Sequence, residues 1–97
     1  MKFEVYGKSD CPKCKSTKDK LANLIGKAAA ENEIRLAYHD LETVEGMAEG
    51  AFNDVKDVPT TILRSDAGEP MARWEGTLPP SVEVKAFLAS AQSRPMQ

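Results

Sequence analysis

The sequence lacks a long apolar run, an excess of basic residues, an internal repeat and an obvious linker. Charged residues interrupt the first few positions, so we expect neither a signal peptide nor a membrane-spanning segment there, and we expect a cytoplasmic protein. Thirteen basic and fifteen acidic residues give a formal net charge of -2. This balance lacks the strong positive field that nucleic acid or an anionic membrane would favour. We therefore expect a monomer whose partners are proteins or small molecules.

The length and composition allow one hydrophobic core. With 97 residues, of which 41% are hydrophobic, the chain has too few apolar side chains for a second domain. We predict a single domain over residues 1–91. Residues 92–97 carry no apolar pattern, and we expect a flexible C-terminal tail there.

Both cysteines lie in one short stretch, SDCPKC, at residues 9–14. A stabilising disulfide is disfavoured, because the cytoplasm is reducing and a bridge between Cys11 and Cys14 closes too small a loop. A structural zinc site usually needs four ligands, and the chain has no second cysteine pair and only one histidine, His39. Three readings stay open: a redox-active dithiol, a module that handles Cu(I), zinc or an iron–sulfur cluster, or a docking module whose cysteines have no chemical role.

The first half of the chain predicts a strand and a helix on either side of this stretch, followed by a second such pair. Residues 2–6 alternate polar and apolar before Gly7, and residues 34–39 alternate in the same way. A helix is predicted from about Cys11 to about Glu31, with Ser9 or Asp10 as its cap and Pro12 in its first turn. Its buried stripe is Cys14, Thr17, Leu21, Leu24, Ile25 and Ala28. The second helix has an apolar stripe of Val44, Met47, Ala48, Ala51, Phe52 and Val55, weakened by Gly46 and Gly50.

The second half predicts a hairpin and a last helix. Residues 60–64 and 71–75 are extended segments joined by a five-residue turn. Thr77 is a cap candidate for the final helix, with Pro79 and Pro80 near its first turn. Its buried stripe is Val84, Phe87, Leu88 and Ala91. The order β-α-β-α-β-β-α predicts an α/β fold with a mixed four-stranded sheet flanked by helices on both faces.

The two sulfurs should differ in exposure and reactivity. Cys11 stands at a helix N-terminus, near Lys8 and Lys13, where a thiolate is stabilised, so we expect its pKa to lie below the usual ~8.5. Cys14 is in phase with the buried stripe. This asymmetry favours Cys11 as the nucleophile and Cys14 as the resolving thiol of a disulfide exchange.

A second motif, Val58-Pro59-Thr60, precedes the third strand. Together with Cys11-Pro12-Lys13-Cys14 it makes the chain resemble the thioredoxin superfamily, specifically a glutaredoxin-like small redoxin, from Lys2 to about Leu88. The resemblance implies a thioredoxin fold and a cis Val58–Pro59 bond beside the sulfurs. Val58, Pro59 and Pro12 would shape a groove for disulfide-bearing protein substrates, and no metal or organic cofactor would be bound.

The source of electrons stays open between two candidates. Lys8 matches the basic residue with which glutaredoxins meet glutathione, and Val5, at the end of the first strand, is similar to glutaredoxins in not being an acid. Lys13 stands where those proteins have tyrosine, and Gly76-Thr77 looks more like the thioredoxin pattern. Glutathione or a flavoprotein reductase would supply the electrons, with Lys8, Lys13, Gly76 and Thr77 as candidates for binding glutathione or tuning the thiolate.

Overall fold

The computed structural model describes residues 1–28 and 34–92 as seven elements. In chain order they are β1 (Lys2–Gly7), α1 (Pro12–Lys27), β2 (Arg35–Asp40), α2 (Val44–Phe52), β3 (Thr60–Arg64), β4 (Pro70–Glu75) and α3 (Ser81–Gln92). The predicted order of strands and helices is confirmed. The predicted end of the first helix near Glu31, residues 93–97 of the predicted tail and the side chain of Ala91 lie outside the described residues.

The four strands form one mixed sheet in the order β2-β1-β3-β4. β1 is parallel to β2 and antiparallel to β3, and β3 is antiparallel to β4. The parallel pair is joined through α1, whereas β3 and β4 form the predicted hairpin. The predicted mixed four-stranded sheet is confirmed. None of the helices in the described ranges is long and apolar enough to span a membrane.

The core lies between one face of the sheet and the helices α1 and α3. Alternate residues of β1 point into it, beginning with Phe3 and Val5, which are fully buried. The other buried members of the cluster are Leu21, Ile25, Ile34, Leu63, Trp74, Val84 and Leu88. The ring of Trp74 meets that of Phe87 edge-on, with centroids 6.2 Å apart. The apolar stripes predicted for α1 and α3 therefore hold wherever their side chains are described.

Helix α2 lies on the opposite face, and the prediction for its apolar stripe was wrong. Its two glycines are buried, whereas Val44, Met47 and Phe52 are 73%, 54% and 87% exposed. A Cβ added to Gly46 would overlap the backbone carbonyl of Asp40, so only glycine allows the helix to approach this closely. Close backbone packing thus decides which side of α2 faces inward, against the hydrophobic pattern.

The carboxylate of Glu4 is buried on the face of the sheet that α2 covers. Arg64 donates a hydrogen bond to its Oε1, and Nε2 of His39 lies 3.2 Å from its Oε2. Arg64 and Tyr6 also bond to Asn53, the C-cap of α2, so the network ties that helix to the sheet. Burial alone would raise the pKa of Glu4, but the hydrogen bonds with Arg64 and His39, together with the positive charges of Arg64 and Lys2, outweigh it and lower that pKa.

Two predicted caps are replaced by other residues. The N-cap of α1 is Cys11, whose sulfur accepts a hydrogen bond from the backbone N–H of Cys14, and not Ser9 or Asp10. Helix α3 begins at Ser81. Its first N–H groups bond to the carbonyl of Pro80, so Thr77 lies too far upstream to cap it.

Candidate active site

Cys11 and Cys14 are joined in a disulfide at the start of α1, with their Cα atoms 5.2 Å apart. Cys14 is fully buried, whereas Cys11 is partly exposed. The predicted difference in exposure between the two sulfurs is present. A thiolate of another molecule that approaches this disulfide from solvent therefore reaches the sulfur of Cys11 first.

The helix start supplies the electrostatics that a thiolate needs. The N–H of Cys14 points at the Cys11 sulfur, at a distance of 3.1 Å, and no acidic residue occupies the first turn. Pro12 occupies a position where its missing N–H leaves no helical bond unmade. Lys13 and Lys15 are exposed on this turn. The positive end of the helix dipole and these ammonium groups favour a negative sulfur at residue 11.

Gly7, the last residue of β1, lies directly against the buried sulfur. A Cβ added to it would lie 2.7 Å from Cβ and Sγ of Cys14 and 2.7 Å from the hydroxyl oxygen of Tyr38. Real Cβ atoms do not approach other atoms this closely. The absence of a side chain at residue 7 therefore allows Cys14 to pack on the sheet.

Sequence reasoning did not single out Tyr38 as part of the site. Its hydroxyl donates a hydrogen bond to the carbonyl of Lys8, at 3.3 Å, and the ammonium of Lys18 lies 5.2 Å from its ring centroid. Burial, and then the charges of Asp40 and Glu42, raise the pKa of Tyr38, so the phenol stays protonated at neutral pH. Its position near the end of β2, beside the end of the parallel strand β1, is the signal that could have identified it.

The loop that contains Pro59 lies beside the cysteines. The Val58–Pro59 bond is cis, the conformation that the resemblance implied. The pairing of β1 with β3 ends at Tyr6 opposite Thr60, so the next position along places Pro59 across from Gly7. Pro59 is buried and Val58 is partly exposed. Val58 therefore lies partly exposed next to the buried Pro59.

Gly76 is brought to the same place by a backbone hydrogen bond. Its N–H donates to the carbonyl of Pro59, at 2.8 Å, and its φ of +70° is one that favours glycine. Thr77 is exposed beside it, and Lys8, which follows Gly7 in the chain, is also exposed. Among the residues predicted from the sequence, the cysteines, Pro59 and Gly76 thus come to one end of the sheet. The roles predicted for Lys8, Lys13, Gly76 and Thr77 towards glutathione stay predictions.

The loop before Cys11 is tied to the segment that leads into α2. Both the backbone N–H and the hydroxyl of Ser9 donate to Oε1 of Glu42, at 3.1 and 2.5 Å. These two hydrogen bonds lower the pKa of Glu42, which is exposed. The loop before Cys11 and the segment before α2 are therefore neighbours.

The side chain of Val5, two residues before Gly7, is fully buried and apolar. Val5 is flanked in the sheet by Tyr38 on one side and Thr61 on the other. The Thr61 hydroxyl is fully buried and has no hydrogen-bond partner among the described residues. Within residues 1–28 and 34–92, no group of three or more histidine, cysteine or acidic side chains is placed to hold a metal ion.

Comparison with known proteins gives the same overall picture. A family model described as a thioredoxin domain matches residues 1–89. Thioredoxin 1 of Thermosipho africanus TCF52B superposes with a TM-score of 0.73 at 20% identity, over 95% of this chain and 96% of that one. A thioredoxin-like protein of Clostridium perfringens gives a TM-score of 0.76 at 19% identity, over 93% of this chain and 69% of that one. At these identities the structures establish the fold alone. No curated protein gives a significant match.

Proposed function

This chain belongs to the thioredoxin domain family, and from that we propose that it is a dithiol–disulfide oxidoreductase that reduces protein disulfides. The observation that carries the proposal is the disulfide between Cys11 and Cys14 at a helix N-terminus, with one sulfur accessible and the other buried. A bridge of this kind contributes little to folding, because it closes a loop between residues only three apart. A disulfide that forms and breaks reversibly explains this position better than a stabilising bridge does.

The first step is attack by Cys11. In the reduced protein, the Cys11 thiolate displaces one sulfur of the substrate disulfide, which leaves as a thiolate, and a mixed disulfide forms between Cys11 and the substrate. The hydrogen bond from the Cys14 N–H and the positive end of α1 favour this thiolate. The partial exposure of Cys11 gives the substrate access.

The second step is resolution by Cys14. Its thiol loses a proton and attacks the Cys11 sulfur, so that the substrate's second sulfur leaves as a thiolate and the Cys11–Cys14 disulfide remains. Two electrons have then passed from the protein to the substrate. Because both cysteines lie in one helical turn and are close enough to form a disulfide, the attacking sulfur is already within reach.

The substrate strand would lie along Val58 and Pro59. An extended peptide can pair with exposed backbone at a sheet edge, and the proposal is supported by the partial exposure of Val58 next to Pro59, beyond the Tyr6–Thr60 pair of the sheet. Regeneration of the dithiol requires a second thiol donor, for which we propose glutathione or a flavoprotein reductase. Exposed Lys8 and Lys13 supply positive charge near Cys11 for a carboxylate of that donor.

Single-turnover reduction of a disulfide-bonded model peptide tests this function. The pre-reduced protein, freed of excess reductant, should release two peptide thiols per molecule and become disulfide-bonded. Cys11→Ser should abolish the release. Cys14→Ser should stop at a mixed disulfide with a mass equal to protein plus one peptide half.

The matched control is Ser16→Ala, at an exposed position of the same helix, which should leave the rate unchanged. Peptide reduction by Cys11→Ser would contradict the role of Cys11. A mixed disulfide on Cys11→Ser but none on Cys14→Ser would reverse the two roles.

A further inference from the structure

Helix α2 exposes its apolar side, which the hydrophobic pattern predicted to be buried. Its apolar side chains on the outer side form what we call the α2 patch, which consists of Val44, Met47, Ala48, Ala51 and Phe52. The glycine side of the helix makes the contact with the sheet, at Asp40 and Leu41. The exposed apolar groups therefore contribute little to the stability of the fold, and a contiguous apolar surface of this kind is typical of an interaction site.

The α2 patch adjoins the candidate active site at both ends of the helix. At the N-terminal end, Ser9 in the loop before Cys11 is bonded to Glu42, two residues before Val44. At the C-terminal end, the chain runs from Phe52 through residues 53–57 to the cis Val58–Pro59 bond. A protein whose disulfide reaches Cys11 is thus close enough to contact this helix.

The charges around the patch select the kind of partner. Between residues 40 and 57 the sequence has one basic residue, Lys56, and six acidic ones: Asp40, Glu42, Glu45, Glu49, Asp54 and Asp57. Arg73, the basic side chain that reaches this segment from β4, is bonded to the carbonyls of Asn53 and Asp54. A second copy of the same patch would bring carboxylates against carboxylates, and an anionic membrane or nucleic acid would be repelled.

We propose that the α2 patch docks the protein partner of the disulfide exchange, and that this partner presents an apolar surface rimmed by lysine or arginine. The proposal rests on the proposed function of the cysteine pair. Apolar contact at the patch would hold the partner, and its basic rim would meet the carboxylates and fix its orientation relative to Cys11. The patch would thereby make the protein react faster with disulfides of proteins that have a complementary surface than with small disulfides, which contact Cys11 alone.

The test compares three helical peptides that each carry a thionitrobenzoate mixed disulfide. One has a leucine face rimmed by lysine, one has the same face rimmed by glutamate, and one has serine in place of leucine with the lysine rim. The probe for basal chemistry is free dithionitrobenzoate. The reduced protein should release thionitrobenzoate from the leucine–lysine peptide about fivefold or more faster than from the other two, as expected when a few apolar anchors dominate an interface.

The variants are Val44→Ser with Phe52→Ser, and as a matched control Val82→Ser, which is 76% exposed in the first turn of α3. The double variant should lose the preference for the leucine–lysine peptide, while the control keeps it. Both should react with free dithionitrobenzoate at the wild-type rate and melt at the wild-type temperature.

Three results would overturn the proposal. The first is a preference for the leucine–lysine peptide that survives in the double variant, and the second is no such preference in the wild type. The third is a wild type that sediments as a dimer while the double variant sediments as a monomer, which would assign the patch to a second copy. Failure of the proposed function looks different, because the wild type would then end as a thionitrobenzoate adduct, seen by mass, and not with the Cys11–Cys14 disulfide.

Discussion

Gly7 and Cys14 are packed so closely that no side chain fits between them. The space a Cβ would need at residue 7 is bounded at 2.7 Å by Cβ and Sγ of Cys14 and by the Tyr38 hydroxyl. The buried sulfur thus takes its position from the end of β1 as well as from its own helix. This contact links the geometry of the sheet to the resolving step.

Replacing Gly7 by alanine should therefore impair both stability and disulfide exchange. Overpacking of a tight site costs about 1 to 3 kcal/mol, and the displaced Cys14 should resolve mixed disulfides more slowly. The measurements are denaturant unfolding and single-turnover kinetics. Gly26→Ala, at an exposed position of α1, is the control and should be neutral or stabilising by up to about 1 kcal/mol. Equal behaviour of the two variants would contradict the packing account.

The two glycines of α2 should respond differently to alanine. At residue 46 the new Cβ would meet the rigid backbone of Asp40, whereas at residue 50 it would lie 2.7 Å from the movable Cδ2 of Leu41. Alanine favours a helix by about 1 kcal/mol over glycine. Gly50→Ala should accordingly be close to neutral, and Gly46→Ala should be destabilising by about 1 to 3 kcal/mol. Thermal and urea unfolding of both variants would reveal the difference, and a stable Gly46→Ala would show that backbone contact does not fix the orientation of α2.

The neighbouring threonines of β3 provide a test of the buried polar groups. Thr61 has a buried hydroxyl without a partner, whereas the hydroxyl of Thr60 donates to the carbonyl of Asp57 at 2.6 Å. Thr61→Val should stabilise the protein by about 1 kcal/mol, since an unsatisfied group is removed, and Thr60→Val should destabilise it by a similar amount. The free energies of unfolding decide the matter. A loss of stability in Thr61→Val would mean that its hydroxyl is hydrogen-bonded in solution.

The lowered pKa of Glu4 makes a prediction about acid stability. Because the folded protein holds the ionised form more tightly than the unfolded chain does, the stabilisation is fully present above the ordinary carboxyl pKa, 4.5 for this group, and is lost as the pH falls through the lower folded value. Glu4→Gln leaves Arg64 without its charged partner and should cost about 1 to 3 kcal/mol at neutral pH.

Below pH 5, the free energy of unfolding should also fall less steeply in the variant than in the wild type. Unfolding measured between about pH 2 and 7 would show this difference. The control is Glu69→Gln, on the exposed turn of the hairpin. If Glu4→Gln and the wild type lose stability in parallel as the pH is lowered, the ionised Glu4 is not a source of stability.

The features that sequence predicted best were set by local patterns. The strands at residues 2–6 and 34–39, the helical spacing of Cys14 and Leu21, and the hairpin all follow from patterns along the chain, and the structure confirms them. The cis Val58–Pro59 bond was implied by the family resemblance and not by residue patterns.

The features that were missed depend on which residues meet in space. The inward side of α2 is decided by the approach of Gly46 to Asp40, which no hydrophobic pattern encodes. The pairing of Glu4 with Arg64 joins residues 60 apart in the sequence. Tyr38 reaches the site because β2 lies beside β1, and the cap of α1 is the cysteine itself.

The most direct test of the central claim is a redox titration of the metal-free protein in defined thiol–disulfide buffers, with the Cys11–Cys14 disulfide scored by thiol alkylation and mass. We predict a single two-electron transition, with a tenfold change in the ratio of the two forms for every ~30 mV, at a potential between about -120 and -270 mV. If no intramolecular disulfide forms in any buffer, the dithiol couple does not exist and the proposed function is wrong.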